Sequence, residues 1–121
     1  MSRAVSIGDV LLVNFPSLAP PGVEQMGMRP AVVAGLPERL GRQRYPTWIV
    51  VPMASTVGDW TRQAPDLYPI FKAGTAKLKL DTVALIDQVR GVDHTRIVRQ
   101  LGRLTAEQYE PIRKGLERTL E

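Results

Sequence analysis

Chain breakers decide most of what this sequence can become. Ten glycines and ten prolines are spread along its 121 residues, so short strands joined by turns are favoured over long helices. A chain of this length predicts one domain over residues 1–121. It can bury roughly two-thirds of its unfolded surface, so its core needs no disulfide or metal staple. Cysteine is absent and His94 is the one histidine. That excludes a disulfide framework, thiolate metal sites, a cysteine nucleophile and multi-histidine metal centres. No metal and no cofactor is therefore expected. The opening MSRAVSIGDV has no signal-like apolar region, and no run approaches the roughly 18–20 apolar residues that span a bilayer. A soluble, cytoplasmic protein is the expectation.

Residues 9–15, DVLLVNF, are apolar and β-branched enough for a buried strand that stops at Pro16. A loop from 16 to 28 follows, broken by Pro16, Pro20, Pro21, Gly22 and Gly27. Loops of that length in compact domains are often functional. Residues 30–35 predict a second strand with Pro30 as its first residue, where a ladder donor is dispensable. A basic connector, 38–44, leads to a third, central strand at 48–53, whose regular pairing Pro52 should end. Further strand-like pieces fall at 67–71, 83–89 and 96–101. With no alternation of strand and helix, this spacing argues for a small antiparallel barrel. The period then changes. Tyr109, Ile112, Leu116 and Leu120 form a helical stripe, and Thr105 with Gln108 has capping-box spacing. Pro111 conflicts with that start: the helix either kinks there or begins there.

The net charge is +4, and twelve of the sixteen cations are arginine, the side chain that forks best onto phosphate. Arg90, Arg96, Arg99 and Arg103 have only Asp93 as a local acid. They read either as solvated strand charges or as a surface for a polyanion.

Three segments together resemble the MazF/PemK (Kid) family of toxin endoribonucleases. They are Gly8-Asp9-Val10; residues 24–33, EQMGMRPAVV, against the family's E-Q-x-G-x-R-P-x-x-V; and residues 81–90, DTVALIDQVR, against its D-S/G-V-x-x-x-D-Q-x-R. Residues 50–56, VVPMAST, lie where the family has V-V-P-x-T-S. The resemblance implies a mainly β fold, an SH3-like small antiparallel barrel (PemK/CcdB-like) with a C-terminal α-helix. It also implies a homodimer and a cognate acidic, MazE-like antitoxin whose extended tail covers the RNA groove. The implied activity is that of an mRNA interferase: metal-independent, sequence-specific cleavage of single-stranded RNA to 2′,3′-cyclic phosphate and 5′-OH ends.

Such a reaction needs a cation for the crowded phosphorane, a base for the 2′-OH and an acid for the leaving 5′-oxygen. Arg29 is the candidate cation, a permanently charged two-pronged donor. Glu24 is either the base or the carboxylate that orients Arg29, since a pKa near 4 makes a poor base unless raised. The family's catalytic threonine aligns with Ala54, which has no hydroxyl. Ser55 is the stand-in donor, with Thr56 next to it; successive strand residues face opposite ways, so a local bulge would have to re-aim Ser55. Gln25, Thr56, Asp87 and Gln88 are expected along the RNA groove. Leu85 stands where Kid-type members carry an arginine, so Asp87 reads as an anchor or RNA contact rather than a base. Gly27 suits a positive φ or a close backbone approach. Trp48 reads as core or dimer interface, His94 as an exposed turn residue, and Trp60 as a polar-stretch residue able to stack on a base. Two alternatives stand beside the enzyme: a degenerate homologue that binds RNA or antitoxin without cutting, and a CcdB-like gyrase poison acting through the C-terminal helix.

Overall fold

The computed structural model of the protein describes residues 4–17, 22 and 25–121. Its centre is an antiparallel meander of β1 (Asp9–Phe15), β2 (Gly27–Gly35) and β3 (Thr47–Ala54), with Val10 opposite Val32 and Val32 opposite Val51. Side chains alternate across these strands. Val10, Val32, Val51 and Met53 enter one core with Ile86 and Ile112. Leu11, Val13, Ala31, Val33 and Val50 point the other way, into a second core with Trp48 and Val92. Both faces are dry through the centre of the meander, and so its strands read there as near-continuous apolar runs.

Shorter strands complete a mainly β, antiparallel half-barrel. The strand β4 (Ile70–Phe71) pairs with β5 (Thr82–Ala84), and both β5 and β6 (Arg90–Asp93) pair with β3. The last strand, β7 (Ile97–Arg103), returns to β1 with two register shifts. A buried carboxylate pins these two together. Asp9 is fully buried and accepts hydrogen bonds from the Ser6 amide at 2.9 Å and from Arg103 Nε at 2.5 Å. The Asp9 carboxylate in turn raises the pKa of the Arg103 guanidinium above its usual value.

The helix α2 (Ala106–Leu120) closes the chain. Thr105 Oγ1 accepts from the Gln108 amide at 3.1 Å and Gln108 Oε1 from the Thr105 amide at 2.9 Å, so the expected capping box is present. The helix begins before Pro111 rather than at it. Proline leaves the Glu107 carbonyl without its helical donor, and Glu107 is exposed to water. The stripe packs Ile112 into the first core with Tyr109 and Leu116 against it, while Leu120 is exposed. At Gly115 the helix meets the 3₁₀ turn at 86–88: a Cβ there would lie 2.3 Å from Ile86 Cδ1 and 3.0 Å from the Asp66 carbonyl oxygen.

Several elements differ from the sequence expectation. Pro30 lies inside β2, not at its start, and β3 runs through Pro52 to Ala54. The piece at 67–71 shrinks to two strand residues, because the Leu67 and Tyr68 amides donate back to the Ala64 carbonyl in a turn. The piece at 83–89 splits into β5 and a 3₁₀ turn, Ile86–Gln88, so Asp87 and Gln88 stand on a turn and not mid-strand. A one-turn helix, α1 (Asp59–Gln63), occupies the polar stretch after β3. No helix among the described residues is long and apolar enough to cross a membrane.

Candidate functional site

Pairing between β2 and β3 ends at Ala31 and Pro52. Beyond that point the start of β2 keeps β1 as its partner, while Met53 and Ala54 turn to β5. Prolines 30 and 52 have no amide hydrogen with which to carry the ladder across the gap. The parted strands open a site with Arg29 on one edge and Ala54 on the other. On one side these two wall a cleft of about 300 Å³ with Gln25, Thr56, Trp60, Tyr68, Leu85 and Gln88. On the other they wall a shallower depression of about 220 Å³ that includes Ser55, Lys79 and Leu80.

Arg29 belongs to β2, opposite Val13, and is exposed. Its Nε donates to the Met26 carbonyl at 3.3 Å, its one hydrogen bond among the described residues, which leaves the guanidinium Nη groups available to an anion. Gly27 helps to set this up. Its φ of +78° is a conformation that side chains disfavour, and nothing lies within 4 Å of where a Cβ would sit, so the requirement is conformational rather than steric.

The opposite wall is cross-braced. Gln88 Oε1 accepts from the Gln25 amide at 2.8 Å, tying the end of the long loop to the 86–88 turn. Gln25 Oε1 is buried without a hydrogen-bond partner among the described residues. Asp87 does not line the cleft itself but is bonded to a residue that does: its Oδ2 accepts from the Tyr68 hydroxyl at 2.6 Å. That hydrogen bond, together with burial and the carboxylate charge, raises the Tyr68 phenol above its ordinary pKa of 10.0. Tyr68 also meets Trp60 edge to face, with centroids 4.9 Å apart.

The site residues expected from sequence therefore sort into groups. Arg29, Gln25, Thr56 and Gln88 share one cleft. Ser55 borders Arg29 from the other side, in the depression. Ala54 is only 8% exposed and packs with Val83, Leu85 and Tyr68, so its methyl is part of the wall. Glu24 lies outside the described residues. Sequence reasoning missed Tyr68, and no local pattern marks it, because Asp87 is exposed and could have been satisfied by water. Nor is His94 a free turn residue. Its ring packs on Trp48 at 4.0 Å, its Nε2 is buried, and Trp48 Nε1 donates to Glu38 Oε2 at 3.3 Å. Trp48 is thus core.

Two other features carry less chemistry. Among the described residues no three or more His, Cys, Asp or Glu side chains are grouped to hold a metal ion. A larger groove of about 690 Å³ runs along α2. Many of its charges are paired on the surface: Arg113 with Glu110 and Glu117, and Arg118 with Asp66 at 3.3 Å. Exposed pairs of that kind contribute little.

Comparison with solved structures returns the same architecture. MazF from Deinococcus radiodurans superimposes with a TM-score of 0.74 at 21% identity, covering 98% of both chains. The same protein in a MazE-MazF complex gives 0.70 at 23%, over 98% of this chain and 97% of that one. An endoribonuclease from a mycobacterial species, solved with its cognate antitoxin, gives 0.69 at 14%, over 97% and 95%. Likeness at these identities speaks to the fold. No individual curated protein sequence matches significantly. The model of one family, described as the PemK-like, MazF-like toxin of type II toxin-antitoxin systems, matches residues 6–120. Nearly the whole chain is spanned by that match, and the chain belongs to the PemK-like, MazF-like toxin family.

Proposed function

We propose that this chain is the toxin of a type II toxin–antitoxin pair and cuts single-stranded RNA at short sequences without a metal. The observation that carries the reading is Arg29: an exposed guanidinium whose Nη groups have no acceptor among the described residues, fixed by a strand, opening onto a cleft that also holds Thr56, Gln25 and Gln88. In the proposed reaction a ribose 2′-oxygen bonds to the adjacent phosphorus and the P–O5′ bond breaks. The products are a 2′,3′-cyclic phosphate and a 5′-OH. Charge grows on the non-bridging oxygens as the phosphorane forms, and a preorganised guanidinium stabilises it most at that moment. The 2′-OH proton passes to a base and the leaving oxygen takes up a proton. Glu24 is the candidate base or the group that orients Arg29. Ser55 and Thr56, the two residues after Ala54, are the candidate hydroxyl donors; Ser55 lines the depression beside Arg29 and Thr56 the cleft.

The proposed assembly is a homodimer whose RNA groove is covered, when the toxin is restrained, by an acidic MazE-like antitoxin. The methyl of Ala54, standing where relatives carry a hydroxyl, favours a second reading in which the groove binds RNA without cutting it. Cleavage of a long mixed-sequence RNA in excess EDTA, with ends mapped beside an identically purified Arg29→Ala protein, separates the two. Discrete cuts with cyclic-phosphate ends, lost in the variant, are expected. Equal cutting by Arg29→Ala would remove the assignment of Arg29, and no cutting by the natural protein would leave the binding reading.

A further inference from the structure

The cleft holds a group that phosphoryl transfer does not use. Trp60 is a large aromatic residue, 40% exposed, and lines the same cleft as Arg29. An indole left in solvent for no purpose is usually free to change rotamer; this one is held on two sides. Tyr68 meets it at 79°, and the Tyr68 hydroxyl is itself fixed on Asp87. On its other edge the indole lies against Gly58, where a Cβ would come within 3.2 Å of both Cδ1 and Nε1. In the lining of the same cleft, Gln25 Oε1 is a buried acceptor with no donor among the described residues. A buried acceptor left unpaired is costly, and a ligand N–H relieves it. An immobilised aromatic face, an acceptor lacking its donor and a cation for phosphate are together the parts that hold one nucleotide.

We propose that a nucleobase of the RNA stacks on Trp60, that Gln25 Oε1 accepts from an N–H on that base's edge, and that Trp60 thereby sets sequence preference next to the cleaved phosphate. This rests on the endoribonuclease reading given above. It also gives the Asp87–Tyr68 pair a role: Asp87 is a positioning residue that acts through Tyr68 on the indole and does not touch the RNA. Stacking on an aromatic side chain tolerates every base, and the hydrogen bond from the edge adds the preference. The cleft of about 300 Å³ is at the small end of ligand sites, room for one base rather than a run of them.

The test compares the natural protein with Trp60→Phe and Trp60→Leu, each confirmed folded by its thermal transition. Base stacking is worth about 1–3 kcal/mol, which at 1.4 kcal/mol per decade is roughly a 5- to 150-fold effect. Trp60→Leu is expected to raise KM on a mapped cleavage site by that factor, with a smaller change in kcat. It should also relax base preference at one position among the sites mapped on a long RNA. Trp60→Phe, which keeps a stacking ring, should recover most of the loss. In parallel, tryptophan fluorescence is followed while a mixed-sequence single-stranded RNA with every 2′-OH methylated, and so not cleavable by this route, is added. Quenching that disappears in Trp60→Phe is expected, because Trp48 is buried. If the natural protein cleaves and Trp60→Leu cuts the same sites with the same KM, the stacking inference is overturned and the activity stands. If the natural protein does not cleave, the endoribonuclease reading falls and the quenching decides: Trp60-dependent quenching supports base stacking, and none overturns it.

Discussion

Replacing Gly115 by alanine tests how the last helix holds the functional turn. In a helix interior, alanine is about 1 kcal/mol better than glycine, and propensity alone predicts a more stable protein. The structure predicts the opposite. The added methyl would lie 2.3 Å from Ile86 Cδ1, more than 1 Å inside ordinary contact, and 3.0 Å from the Asp66 carbonyl oxygen. Ile86 is fully buried beneath Ile112 and its neighbours, so its end methyl has no empty space to enter. Overpacking of this kind costs about 1–3 kcal/mol. With the contact this short, the upper part of that range applies, and the net effect is a loss of about 2 kcal/mol. Shortening the partner supplies the control. Ile86→Val alone should cost about 1 kcal/mol, but it removes the clashing Cδ1. With the clash gone and the helix gain of about 1 kcal/mol kept, the double variant should be about as stable as the natural protein instead of losing the additive 3, a coupling of about 3 kcal/mol. Urea unfolding of the four proteins, with unchanged slopes, measures this directly. If Gly115→Ala stabilises the protein, or if the two changes add, then Gly115 does not seat Ile86 and the argument fails.

Ala54→Thr restores a hydroxyl at the edge of the cleft and should raise RNA cleavage by about 10-fold or more, since one phosphorane-directed donor is commonly worth 10²–10³. The new side chain enters an 8%-exposed position against Val83 and Leu85, so the thermal midpoint should fall at the same time. An unchanged rate in a folded variant would mean that the hydroxyls of Ser55 and Thr56 already suffice or that the step needs none. Tyr68→Phe removes the hydroxyl that donates to Asp87. Because the folded-state pKa of Tyr68 is raised above 10.0, its contribution to stability is fully present below pH 10 and is lost as pH rises through the raised value. The stability gap between the natural protein and Tyr68→Phe should therefore be widest near neutrality and close in alkali. A gap that stays constant through the phenol titration would show that the hydrogen bond contributes nothing.

Local pattern carried the long, doubly buried strands well. Residues 9–15 read as a strand and are one, and the capping box at Thr105 and Gln108 marks the true start of α2. Prolines were harder to read, because their effect depends on which neighbour is present. Pro30 is tolerated inside β2, next to where the β3 ladder stops, and Pro111 is tolerated in an exposed turn of helix. The turn at 86–88 was not legible at all. It exists because Ile86 is seated under Gly115 and because the Leu85 amide donates to the Pro52 carbonyl, contacts with residues far away in sequence. For the same reason the sequence named Gln25, Thr56 and Gln88 without showing that they converge. It also could not tell which of Ser55 and Thr56 shares the cleft with Gln25 and Gln88; the structure gives that place to Thr56. Tyr68 was hidden in what looked like a strand.

The pairing of the first strand with the last has a kinetic consequence. The β1–β2–β3 meander is local and can form as soon as its own residues are available, placing Arg29 and Ala54 early. β1 must then wait for β7, and the Asp9–Arg103 bond spans 94 residues. Closing contacts of such long range are slow steps in small β proteins. The wall that carries Gln88 is later still, because its turn is braced by Gly115 on the final helix. During synthesis the Arg29 and Ala54 edges of the cleft are therefore built first, and the turn that carries Gln88 locks only when almost the whole chain has been made. A nascent or C-terminally clipped chain would hold the phosphate-binding arginine without the braced turn that carries Gln88.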